Sequence, residues 1–203
     1  MLRMRLEADL TLGEPSEHVG LVVPWLARVE RYDDPEGPPE VIGTVRARVI
    51  HYGEALNLGV MLDDALDDAL DGALATLHEA FFTEQGVLRE AFEDADGEGL
   101  LYVESIDLAD EWRAKRLDVA AVRRLADTLG MGCSLVVLHG DEMRRLASWR
   151  ALGFVTVNGG PESFLALNQS HRAPRVRETA ALDTFEVIPP AEVSAEVARP
   201  GRN

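Results

Sequence analysis

Cysteine is nearly absent: in 203 residues the only one is Cys133. A single thiol excludes an internal disulfide framework and a cysteine-rich zinc site. No run of about 18 apolar residues occurs, so no membrane-spanning helix is expected. The opening MLRMRLEADL alternates charged and apolar residues and lacks the apolar block of a secretory signal, which makes cytoplasmic residence the expectation. Basic residues are scarce as well: 20 Lys and Arg stand against 36 Asp and Glu, a net charge of −16. Nucleic acid is therefore not expected as a partner, because phosphate contacts need Lys and Arg. The acidity fits plain solubility, or attraction for a cationic substrate such as an amine. Repeats and low-complexity blocks are lacking too.

What the chain does have is 46% hydrophobic residues over a length that makes one domain with a real core. Residues 3–12 alternate, with Met4, Leu6, Ala8, Leu10 and Leu12 on one face, and predict a half-buried strand. Leu21–Tyr32 and Val41–His51 predict an antiparallel hairpin across the turn signal Asp33–Pro39. Val41, Val45, Ala47 and Val49 fall on one side of it. Pro24 limits the first of these strands to an edge, a bulge or a late start. His51–Asn57 is polar and contains Gly53, so it reads as a loop. Met61–Phe82 predicts a helix with the apolar stripe Leu62, Leu66, Leu70, Leu74, Leu77 and Phe81. Its opposite face carries Asp63, Asp64, Asp67, Asp68 and Asp71, without the closing glutamate of a calcium loop.

Leu100–Leu129 organises the rest. Leu100–Leu108 reads as a buried strand and Ala109–Asp118 as a densely charged loop. From Val119 the apolar positions (Val122, Leu125 or Ala126, Leu129) follow a helical period. A strand feeding a helix through a loop aims free N–H groups and a positive dipole end at that loop, which is a place for an anion. Cys133–Leu138 predicts a parallel neighbour strand with the helix as crossover. Asp141 is a candidate N-cap for a helix over 142–152, stopped by Gly153. Phe154–Val157 and Ser163–Leu167 predict a hairpin. Residues 1–168 read as one domain. Residues 169–203 read as a C-terminal tail with one docking segment, Phe185–Ile188.

Two motifs in this frame resemble a known family. Leu108-Ala109-Asp110-Glu111-Trp112-Arg113-Ala114-Lys115-Arg116-Leu117-Asp118-Val119-Ala120 is similar to V-x-P-E-Y-R-G-x-G-x-G/A, the coenzyme A pyrophosphate loop of the GNAT N-acetyltransferase superfamily. Ser148-Trp149-Arg150-Ala151-Leu152-Gly153-Phe154 resembles that family's F-Y-x-x-L-G-F. The resemblance covers about residues 99–167. It implies an α/β fold, a mixed and twisted central sheet flanked by helices. It implies acetyl-CoA or another acyl-CoA as cofactor, with a pyrophosphate held by Leu108, Arg113, Ala114, Lys115, Arg116, Leu117, Asp118 and Val119. The acceptor would be a small amine or peptide, and a homodimer is an open possibility. Glu104, four residues before the strand's end, stands where family enzymes often place the base that takes the amine proton. Its alternative role is a salt-bridged strand residue, and Asp107, His51 and His139 are weaker candidates.

The chain departs from the pattern at four positions. Ala114, Arg116 and Asp118 replace glycines, Asp118 brings a carboxylate to a diphosphate site, and Trp149 replaces a tyrosine that serves as general acid. The loop is thus able to supply its own anion, with Asp118 capping the helix. Two functions remain open: an acyl-CoA-dependent N-acyltransferase, or a non-catalytic fold relative that has lost the cofactor and acts as a binding or assembly module.

Overall fold

β1 (Leu2–Ala8), β2 (Val22–Arg31) and β3 (Glu40–Ile50) form an antiparallel meander. The structure, a computed structural model, describes residues 1–8, 20–67, 72–92, 94–159, 162–169 and 174–190. Val45, Ala47 and Val49 are buried on one face as their alternation requires. Val41 is 50% exposed, because Ile42 is an extra residue opposite Val29 and Glu30 and shifts the phase of the strand before it. Pro24 lies just past Trp25, which pairs with Ala8, the last described residue of β1, so its missing N–H removes no described bond to β1.

β3 pairs with β4 (Gly99–Leu108), the central strand. β4 pairs in parallel with β5 (Cys133–Leu138), and β5 pairs with the hairpin β6 (Val155–Gly159) and β7 (Glu162–Asn168). The seven-stranded order is β1-β2-β3-β4-β5-β7-β6. The expected α/β architecture of a mixed sheet between helices is the observed one. The expected parallel crossover and C-terminal hairpin are present too.

Two cores follow from two covered faces. On one face, α1 (Tyr52–Leu58), α2 (Leu62–Asp67) and α3 (Gly72–Phe81) pack Leu62, Leu66, Leu74, Leu77 and Phe81 against Leu100, Tyr102, Leu135, Val137 and Phe164. On the other, α5 (Leu117–Thr128) and α6 (Leu146–Ala151) pack Val119, Val122, Leu125, Trp149 and Leu152 against Leu101, Val103, Val136 and Leu138. No helix among the described residues is long and apolar enough to cross a membrane.

Four expectations change. His51–Asn57 is not a loop: Tyr52–Leu58 is helical, closed by Gly59 in the left-handed region. Its anchor is the buried Tyr52 hydroxyl, which donates to Gly97 O at 2.7 Å and meets Ser134 Oγ at 2.8 Å. Gly53 is required there, since a Cβ would lie 2.5 Å from Glu98 Cβ. The predicted helix 61–82 is described as α2 and α3, with Asp68, Leu70 and Asp71 outside the described residues. The loop 109–118 is mostly a short helix, α4 (Asp110–Ala114), and α5 starts two residues before Val119. The tail carries a two-stranded ribbon, β8 (Arg175–Glu178) with β9 (Phe185–Ile188), so the expected docking segment is one strand of a hairpin. Val176, Phe185 and Val187 pack on the α5 core, and Phe185 N–H donates to Lys115 O at 2.9 Å.

Candidate functional site

β4 and β5 run together from Gly99 and Cys133 to Val103 and Leu138, and His139 N–H adds a last bond to Val103 O at 3.1 Å. There they part. β5 ends, while β4 continues to Leu108 with one extra residue, Glu104, opposite Arg46 and Ala47. The bulge reverses the phase of the strand. Leu101 and Val103 face the α5 core before it, and Ile106 and Leu108 face the same core after it. The gap between the strands is a cleft of about 620 Å³, bordered by Glu104, Arg113, His139, Glu142 and Arg144 among others.

Side chains of the protein bridge this cleft. Arg113 on α4 folds back along β4: Nε donates to Leu108 O at 3.2 Å and Nη2 to Ile106 O. Its Nη1 reaches across to Glu142, 3.0 Å from Oε1 and 3.3 Å from Oε2. Glu142 lies in the 3₁₀ segment Gly140–Arg145 and is only 8% exposed. It also accepts from Trp149 Nε1 at 3.1 Å. Three hydrogen bonds from two donor groups thus converge on one buried carboxylate, as its charge demands.

A second pair lies behind the first. Asp118, in the first turn of α5, is 0% exposed, and its Oδ2 forms an ion pair with Arg145 Nη1. Arg145 Nη2 donates to Arg113 O at 2.8 Å, tying both pairs together. Burial pushes the Asp118 carboxyl above the usual range, against the pull of Arg145 and the adjoining Val119 N–H. Oδ1 has no hydrogen-bond partner of good geometry among the described residues.

The residues expected to hold a pyrophosphate are distributed unevenly around this cluster. Arg113 and Asp118 are inside it. Leu108, Leu117 and Val119 are buried core residues, and Ala114 ends α4 on the surface. Lys115 places its ammonium over the Trp112 ring, 4.4 Å from the centroid. Arg116 is exposed. The backbone N–H groups of Lys115 and Arg116 are already used within the α4 turn, on Trp112 O at 3.1 Å and Arg113 O at 3.0 Å. Arg116 sits at φ 60, the left-handed conformation glycine favours, at the position where the resembled motif has glycine. Arg116, not Asp118, is the residue preceding the first turn of α5, and it makes no side-chain cap.

Glu104 occupies the bulge at the cleft mouth, ion-paired with Arg48, both about one-fifth exposed. Trp149 is fully buried. His139, not Asp141, precedes the 3₁₀ segment, and its Nδ1 accepts from Asp141 N–H at 3.4 Å. His51 lies beyond Ile50, at the opposite end of β4 from the cleft, and Asp107 is an exposed residue opposite Thr44. Glu142 and Arg145 were not singled out in the sequence. The signal for them is Asp118: a carboxylate set among Leu117, Val119 and Val122 needs a cation from elsewhere. The chain matches no family model, and no curated protein or solved structure is significantly similar to it.

Proposed function

We propose that the chain is a non-catalytic relative of the acyl-CoA-dependent N-acetyltransferases, a binding module in which protein side chains fill the place of the cofactor's phosphates. The observation carrying this reading is the buried Asp118–Arg145 pair in the first turn of α5. A helix start attracts one anion most strongly, and Asp118 is a resident one. A diphosphate there would face it: like charges about 4 Å apart cost about 4 kcal/mol at an effective dielectric of about 20. The Arg113–Glu142 bridge supports the same reading, because both groups have each other as partners. What remains open is a polar cleft of mixed sign, with Asp110, Asp141 and Arg144 all in its lining. That suits a small zwitterion or a peptide terminus better than a polyanion.

The test is calorimetric titration of the full chain with acetyl-CoA and with CoA. No heat and no thermal shift at millimolar ligand is the expected result. Micromolar binding, about −8 kcal/mol, refutes the proposal. It would favour the second reading, an N-acyltransferase in which Glu104 takes the amine proton. That reading draws support from the position of Glu104 at the cleft mouth. It requires Glu104→Gln to abolish turnover in an amine-acceptor screen.

A further inference from the structure

β1 is an end strand of the sheet and, among the described residues, pairs only with β2. It runs seven residues without Pro, Gly or a bulge, so it has none of the backbone devices that blunt an edge. The opposite end strand, β6, is five residues long and ends at Gly159. Which groups β1 presents outward follows from its first pair. Met1 and Tyr32 exchange both backbone bonds, at 2.9 Å each. In an antiparallel ladder such pairs alternate, so Arg3, Arg5 and Glu7 direct their N–H and C=O groups toward β2. Leu2, Met4, Leu6 and Ala8 direct theirs outward.

The side chains sort the same way. Leu2, Met4 and Leu6 lie on the α5 face, only partly buried, over a groove of about 480 Å³ that Leu117 and Ala121 also line. Arg3, Arg5 and Glu7 lie on the other face, where one Glu7 oxygen pairs with Arg28 of β2 at 3.1 Å and the other lies 3.7 Å from Arg5 of its own strand.

We propose that β1 is a homodimer interface, pairing antiparallel with β1 of a second copy, with Leu6 opposite Leu6. In that register Met4 meets Ala8 of the other copy, and on the order of six backbone bonds form from the outward groups. Arg5 meets Glu7 at both non-hydrogen-bonded positions, where side chains approach most closely. Shifting the strands so that Arg5 faces Arg5 would put like charges at the dyad, which selects the first register. The joined sheets extend the apolar face of Leu2, Met4 and Leu6 across the open side of the groove.

The experiment is sedimentation velocity on the full chain from low to several hundred micromolar, for the wild type, Arg5→Glu, and Arg5→Glu/Glu7→Arg. The expected result is a wild-type dimer, a dissociation constant raised at least about tenfold by the single change, and recovery in the charge swap. Amide exchange gives a check without substitution. Protection of Met4, Leu6 and Ala8 should rise with concentration, while Arg3, Arg5 and Glu7 stay protected throughout. A wild type that is monomeric at every concentration overturns the proposal and leaves the edge to another partner. So does a dimer indifferent to the charges, a single change the swap does not rescue, or protection that ignores concentration.

Discussion

Arg145→Met isolates the buried pair behind the cleft. The change keeps much of the apolar stem and deletes the cation next to Asp118, which is 0% exposed. Breaking a buried pair by removing one partner costs about 3–5 kcal/mol. Arg145 is itself 23% exposed, so water reaches its side and the low end, about 3 kcal/mol, is the better figure. Loss of the bond to Arg113 O adds about 1 kcal/mol. At about 2–4 °C per kcal/mol for a chain of this size, the midpoint should drop by about 8–16 °C. The sign of the pH dependence follows from burial. Asp118 titrates above its ordinary value near 3.8, so the stability linked to it is fully present below that value and is lost as pH rises through the folded one. Without Arg145 the folded value rises further, and the deficit relative to wild type should grow from mildly acidic to neutral pH. In Asp118→Asn/Arg145→Met that growth should vanish and most of the lost stability return. Urea unfolding of the three proteins at two pH values measures this. A deficit under about 1 kcal/mol that ignores pH, or a double variant no more stable than the single one, would refute the reasoning.

Other expectations follow from the same structure. Arg116→Gly/Asp118→Gly should give the loop a measurable affinity for CoA by calorimetry, with acetyl-CoA raising the variant's thermal midpoint and leaving the wild type's unchanged. No gain would place the closure at the Arg113–Glu142 bridge instead. Tyr52→Phe removes the hydroxyl that ties α1 to Gly97 and Ser134. It should cost about 1–2 kcal/mol, read as a midpoint drop of about 2–8 °C. Burial pushes the Cys133 thiol up to about 11, so iodoacetamide should label it at neutral pH only after denaturant is added.

Much of the frame was legible because it rests on local pattern. The strands of the meander, the β4-α5-β5 crossover and the β6-β7 hairpin all announce themselves by side-chain period and turn residues. What was hidden depends on contacts distant in sequence. Tyr52–Leu58 contains Gly53 and Asn57, turn formers by propensity, and becomes helical because Tyr52 reaches Gly97 and Ser134 across the sheet. Asp118 is legible as an anion at a helix start. Its partner, 27 residues away, belongs to a segment whose charges gave no inward periodicity. Arg113 stands out in the sequence by its match to a motif. That it spends its donors on Ile106, Leu108 and Glu142 is a matter of tertiary geometry alone. The bulges at Ile42 and Glu104 leave no mark in composition, so alternation alone puts Val41 on the wrong face.

The bulge at Glu104 makes β4 behave like a reading frame. Upstream of it odd-numbered residues belong to the α5 side, and downstream even-numbered ones do. Substituting Glu104 would disturb one ion pair. Deleting it would be a frameshift in space: Ile106 and Leu108 would turn to the far face, and the segment carrying Arg113 would leave the sheet on the wrong side. The cleft therefore tolerates a change of letter at this position far better than a change of length.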